Sequence, residues 1–149
     1  MDGGTAGTDD GTQDDGLAWI DRYLDAGMGQ CWFRAPKIAA LVVQSLLHGD
    51  GHAYSLGGYV VMPNHVHAIV QPAHCLSSVL QRWKSFTAHA VNRCVQRRGR
   101  LWQEESFDRL IRDEMELVKF EQYIADNPRV AQVSAGGYAL GRGAANWKA

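Results

Sequence analysis

Apolar positions along this chain recur with two periods, and the changes of period mark out its elements. From Pro36 onward, Ile38, Leu41, Val42, Ser45 and Leu46 recur at steps of three and four. That is the stripe of a helix with one buried face, and proline suits its first turn. Gly49-Asp50-Gly51 predicts its end. Two strands follow, over residues 53–62 and 65–71, with Pro63-Asn64 as the turn between them. Leu76, Val79, Leu80, Trp83, Phe86, Ala90, Val91 and Cys94 return to helical spacing and predict a second helix over 76–98. Residues 101–111 read as an extended segment and 113–126 as a third helix, ended by Pro128.

The order helix, strand, strand, helix, strand, helix predicts an α+β fold, an antiparallel sheet with helices packed on it. A ferredoxin-like arrangement of two split β-α-β units needs a further strand before the first helix. Residues 17–34 carry Leu17, Trp19, Ile20, Tyr23, Leu24, Trp32 and Phe33, broken by Gly27 and Gly29, but show no clear strand pattern. Residues 30–34 are short for the role. The sequence therefore predicts a ferredoxin-like sheet that lacks its N-terminal strand. Three regions follow: a disordered acidic leader over 1–16, a folded domain over 17–133, and a flexible Gly/Ala-rich tail over 134–149.

Composition changes this picture little. The chain has 149 residues, 46% of them hydrophobic, which fits one globular domain with a core. No apolar run approaches the ~18 residues of a membrane helix, and no signal-peptide pattern opens the chain. Cys31, Cys75 and Cys94 are odd in number and far apart, and read as reduced thiols of a cytosolic protein.

Charge changes it more. The net charge of −1 hides seven aspartates against one arginine over residues 1–25, so the remainder is positive. Arg82, Lys84, Arg93, Arg97, Arg98 and Arg100 crowd residues 82–100 without one acid. Such a local surface matters more to a polyanion than the global sum does, although a solvated helix face has the same composition.

Three groups of residues suggest chemistry. His65 and His67 sit one residue apart in a strand, so alternation puts both imidazoles on one face. Two neutral imidazoles suit Mn²⁺, Zn²⁺, Ni²⁺ or Cu²⁺ but leave a site incomplete, so a third ligand is implied. The alternative is a pair of polar residues on a solvated strand face. Tyr123 and Asn127 lie four apart on the third helix and share a face. A phenolate is a covalent nucleophile where a cation assists it, and an amide oxygen is a hard ligand. The alternative is a core tyrosine with Asn127 closing the helix before Pro128. Between residues 102 and 114 charges interleave with aromatics, and Asp108 and Arg109 either orient a site group or pair. Arg82, Trp83 and Lys84 join cations to a stacking surface of the kind single-stranded DNA uses, unless Trp83 belongs to the core. His48, His52, His74 and His89 show no ligand spacing.

Four stretches together, Tyr59–Val70 (YVVMPNHVHAIV), Leu80–Ala88 (LQRWKSFTA), Leu101–Arg112 (LWQEESFDRLIR) and Tyr123–Pro128 (YIADNP), resemble the single-tyrosine HUH transposases. These are the small insertion-sequence transposases and their REP-associated tyrosine transposase relatives, and the match spans about residues 30–133. The resemblance implies that His65, His67 and Asn127 hold Mg²⁺ or Mn²⁺. It implies that Tyr123 attacks a single-stranded DNA phosphodiester, leaving a 5′-phosphotyrosine link and a free 3′-OH. It also implies a hairpin-containing DNA substrate from a mobile element, met by Arg82, Trp83, Lys84, Arg93, Arg97, Arg98 and Arg100, with Asp108 and Arg109 in support. A nucleoid-associated cytoplasmic protein, either a homodimer with the tyrosine helix supplied in trans or a monomer, completes the expectation.

The family opens with a central strand of aromatic-Val-Thr-Phe-Arg type that the sequence does not show here. Its loss would expose the edges of its neighbours and compromise activity. Two further readings follow: a hairpin-DNA-binding remnant without catalysis, and a metal-dependent hydrolase of small molecules. The latter lacks an acidic general base near the histidine strand.

Overall fold

A computed structural model describes residues 16–24, 31–104 and 108–145. Its elements are β1 (Leu17–Tyr23), α1 (Pro36–Gly49), β2 (Tyr54–Val61), β3 (His65–Pro72), α2 (Leu76–Cys94), β4 (Arg109–Ile111), α3 (Glu114–Val130) and β5 (Ala139–Arg142), with one 3-10 turn at Trp32–Arg34. The five strands form one antiparallel sheet in the order β4-β1-β3-β2-β5. The α+β class and the order α1-β2-β3-α2-β4-α3 are as the sequence led one to expect.

The absent first strand is not. Leu17–Tyr23 is an inner strand, paired with β3 on one side and β4 on the other. Its pattern hid it because both faces are covered. Ala18, Ile20 and Leu24 pack under α1 and α2, and Trp19 packs under α3, so the strand reads as a nearly continuous apolar run. The polar residues that interrupt it, Asp21 and Arg22, are themselves sheltered.

The sheet separates two cores. Val66, Ala68 and Val70 of β3 face Ile38, Val42 and Leu46 of α1 and Val79, Leu80 and Trp83 of α2. Ile69, with Trp19 and Val60, faces Leu117 and Ile124 of α3. Period-two alternation thus sends His65 and His67 toward the α3 side.

Three helix boundaries differ from expectation. α2 stops at Cys94, where Gln96 takes a left-handed φ of 56° and Arg97 N–H bonds to the Asn92 carbonyl at 2.8 Å. Arg97, Arg98 and Arg100 therefore lie beyond the helix, and its face carries only Arg82, Lys84 and Arg93 of the basic set. α3 begins where Asp113 accepts the Glu116 N–H at 2.8 Å, an N-cap bond. It continues through Pro128 to Val130. So near a C-terminus, proline forgoes only one helical bond, and Asn127 and Pro128 are both buried against the sheet.

The tail, expected to be loose, contributes β5 against β2 over Ala139–Arg142. The acidic leader lies outside the described residues except for Gly16. No helix among the described residues is long and apolar enough to cross a membrane.

Candidate active site

Where α3 crosses the sheet, it leaves a cavity of about 710 Å³ lined by residues of β1, β3 and α3. β3 brings His65 and His67, and α3 brings Tyr123 and Asn127. The Tyr123 and His67 ring centres are 5.3 Å apart and the two imidazole centres 4.6 Å apart. The four residues singled out from the sequence therefore meet, from segments more than fifty positions apart. Tyr123 is half-exposed at the cavity mouth, whereas His67 and Asn127 are buried.

The donor atoms suit a cation. His65 Nδ1 hydrogen-bonds to Asn64 Oδ1 at 2.8 Å. Since that oxygen can only accept, Nδ1 carries the proton and Nε2 keeps its lone pair. Both ring nitrogens of His67 and the Asn127 Oδ1 are buried without a hydrogen-bond partner. Unsatisfied buried polar atoms are costly and rare, so these atoms are candidates to meet a ligand. Burial drives the His67 pKa from 6.5 down to about 3, helped by the neighbouring His65. Burial lowers His65 too, and the nearby Asn127 amide acts the other way. Both imidazoles are therefore neutral at pH 7, the form that binds metals. Among the described residues no three His, Cys, Asp or Glu side chains converge in ligating geometry, so a third protein donor would be the Asn127 amide.

β1 supplies residues that the sequence reading passed over. Its register places Asp21 opposite His67 and Tyr23 opposite His65. Asp21 Oδ1 stands 3.3 Å from His67 Nδ1. The pair is a carboxylate beside a neutral imidazole and not an ion pair, because burial disfavours charge on both: it also raises Asp21 to about 6, with Asp108 adding to the shift and Arg22 opposing it. Tyr23 stacks on His65 with centroids 4.7 Å apart, and Trp19 stacks on His67 at 5.0 Å and on Phe120 at 4.5 Å. The tyrosine of β1 has its hydroxyl pKa raised, first by burial and then by Asp21 and Tyr123. Alternation within β1 was the signal that could have revealed them, had residues 17–23 been taken as a strand.

The supporting residues separate. Asp108 pairs with a residue of β1. It holds the buried Arg22 guanidinium at 2.7 Å on the α2 side of the sheet. Arg109 lines the cavity, bonded to Glu116 at 3.1 Å, its guanidinium 5.2 Å from the Phe120 ring centre. Trp83, expected on a stacking surface, belongs to the core, where its Nε1–H donates to Ser45 Oγ at 3.1 Å. Arg82 lines a groove between α1 and α2, on the face away from the histidines. Lys84 is half-buried, its pKa lowered mainly by that burial. β3 starts at His65, and α2 runs back along it, so Arg93 and the turn carrying Arg97, Arg98 and Arg100 return to the histidine end of the sheet. That turn leads into Trp102, which bridges to Leu24, and Gln103 N–H bonds to the Tyr23 carbonyl at 2.9 Å.

No family model matches the chain, and no curated protein matches it. Its fold is similar to a solved structure described as a REP-associated tyrosine transposase bound to a REP hairpin. The TM-score is 0.63 at 18% identity, over 80% of this chain and 70% of that one. At that identity the likeness establishes the fold.

Proposed function

We propose that the protein is a metal-dependent DNA strand transferase of the single-tyrosine HUH type, acting on single-stranded DNA beside a hairpin. The observation that carries this reading is the meeting of Tyr123, His65 and Asn127 around one cavity, with His67 buried beside them, its ring centre 5.3 Å from that of Tyr123 and 4.6 Å from that of His65. Tyr123 gives up its hydroxyl proton as Oη attacks the phosphorus, and the departing 3′ oxygen takes one up. The P–O3′ bond breaks, the 3′ oxygen leaves to become a hydroxyl, and a 5′-phosphotyrosine ester remains. The reverse step rejoins strands without ATP, since the ester keeps the bond energy. His65, His67 and Asn127 would hold a divalent ion, Mg²⁺ or Mn²⁺, whose charge would polarise the scissile phosphate. Arg109 and Lys119 at the cavity wall, and the arginines at the end of α2, offer cations to the backbone phosphates.

The likeness to a hairpin-bound transposase supports a DNA hairpin as partner. The alternative is a binding remnant without catalysis; the missing strand that motivated it is present as β1. The two readings separate on a hairpin oligonucleotide with single-stranded flanks. Binding in EDTA followed by strand cleavage on addition of Mn²⁺ is expected. Binding with no cleavage across Mg²⁺ and Mn²⁺ would favour the remnant.

A further inference from the structure

We infer that Asp21 is a positioning residue that fixes the tautomer of His67 and thereby aims its Nε2 lone pair into the cavity. This rests on the metal-site reading above. The two histidines face different problems. His65, at the turn, has Asn64 Oδ1 on its Nδ1 at 2.8 Å, so its proton is placed on Nδ1. His67 lies deeper, 1% exposed, and its Nδ1 makes no hydrogen bond, nor does Asp21 Oδ1. The group that faces this nitrogen is Asp21 Oδ1, 3.3 Å away across the β1–β3 pair. A carboxylate accepts and never donates while ionised, so it favours the tautomer with the proton on Nδ1.

Asp21 has no competing partner of opposite charge on its own strand. Arg22 is next in sequence but projects through the other face of the sheet to Asp108, at 2.7 Å. Trp19, stacked on His67, then holds the ring plane while Asp21 sets its protonation. β1 would thus carry the outer layer of the site, and β3 and α3 the inner one. A carboxylate behind a ligating histidine orients the ring and raises its basicity, and its loss typically weakens metal binding about 10–100-fold.

The test is long-range ¹H–¹⁵N correlation spectroscopy of the full chain in EDTA at pH 7.5, with His67 assigned by comparison with His67→Gln. The expected result is a proton on Nδ1 and a bare Nε2. In Asp21→Ala the expected result is loss of that single tautomer, with Mn²⁺ affinity by calorimetry lowered about 10–100-fold and the melting temperature in EDTA nearly unchanged. Asp21→Asn, whose amide oxygen can still accept, should retain most of the affinity. A purely structural Asp21 would move the melting temperature and leave the tautomer alone. Wild-type protein protonated on Nε2, or Asp21→Ala with an unchanged tautomer and unchanged Mn²⁺ affinity, would overturn the inference. The wild-type spectrum decides it even where Asp21→Ala fails to fold. Failure of wild-type protein to take up Mn²⁺ would count against the metal site itself, and the spectrum in EDTA would still settle the tautomer.

Discussion

His67 is where burial and chemistry conflict most openly. Its folded pKa near 3 lies below the ordinary 6.5. Between those values the unfolded chain holds a proton that the folded chain refuses. The stability contributed by neutral His67 is therefore complete above pH 6.5 and is lost as pH falls through that window. By pH 5 the loss amounts to about 2 kcal/mol. Asp21 acts with the opposite sign, since a carboxyl raised to about 6 favours the folded state as pH falls toward 3.8. Comparing wild type with His67→Gln cancels most of that share. Urea unfolding in EDTA at pH 7.5 and pH 5 should show a smaller acid loss in the variant, and equal losses would mean His67 is not desolvated as described. Trp19 tests the packing around the same ring. Stacked on both His67 and Phe120 and 5% exposed, its replacement by alanine should cost about 3–5 kcal/mol in urea unfolding. At this scale the sequence was informative where chemistry repeats with the strand period, as in His65 and His67. It was silent on Asp21 and Tyr23, which become site residues only when β1 is laid beside β3 in register.

Among the elements, β1 and α3 decide whether the site exists. β1 escaped a pattern-based reading because a strand buried on both faces shows no alternation, and because Asp21 and Arg22 break its apolar run for reasons that lie in other strands. α1, β2, β3 and most of α2 were legible, since each buries one stripe or ends in an evident turn. The end of α3 was not. Pro128 reads locally as a stop, but burial of Asn127 and Pro128 carries the helix two residues past it, and this keeps Asn127 on the Tyr123 face. If β1 is an integral inner strand, Ile20→Ala, at a residue 4% exposed under α1 and α2, should lower unfolding free energy by about 2–5 kcal/mol. A change within experimental error would return β1 to a dispensable segment. The β5 strand and the α2 terminus were missed for one reason: a short edge strand and a left-handed cap at Gln96 leave little local signature.

At the scale of the whole molecule, α3 places Tyr123 over the histidines of its own chain. A single copy therefore holds the complete constellation, and the tyrosine need not be exchanged between protomers. Mixing Tyr123→Phe protein with His67→Ala protein should restore no DNA cleavage, where a swapped tyrosine helix would restore a substantial fraction of it. The cations at the end of α2 and in the turn after it approach the histidine end of the sheet from its other face; under the proposed function a duplex stem would lie there, beside an unpaired strand at the cavity. The most direct measurement is the fate of that strand. Wild-type protein with a labelled hairpin oligonucleotide and Mn²⁺ should give a covalent adduct that survives denaturing gels, with the nucleotide mapped by mass spectrometry to Tyr123. Tyr123→Phe should still bind the oligonucleotide in EDTA and give no adduct. Adducts that persist in Tyr123→Phe, or that map to another residue, would contradict the site described here.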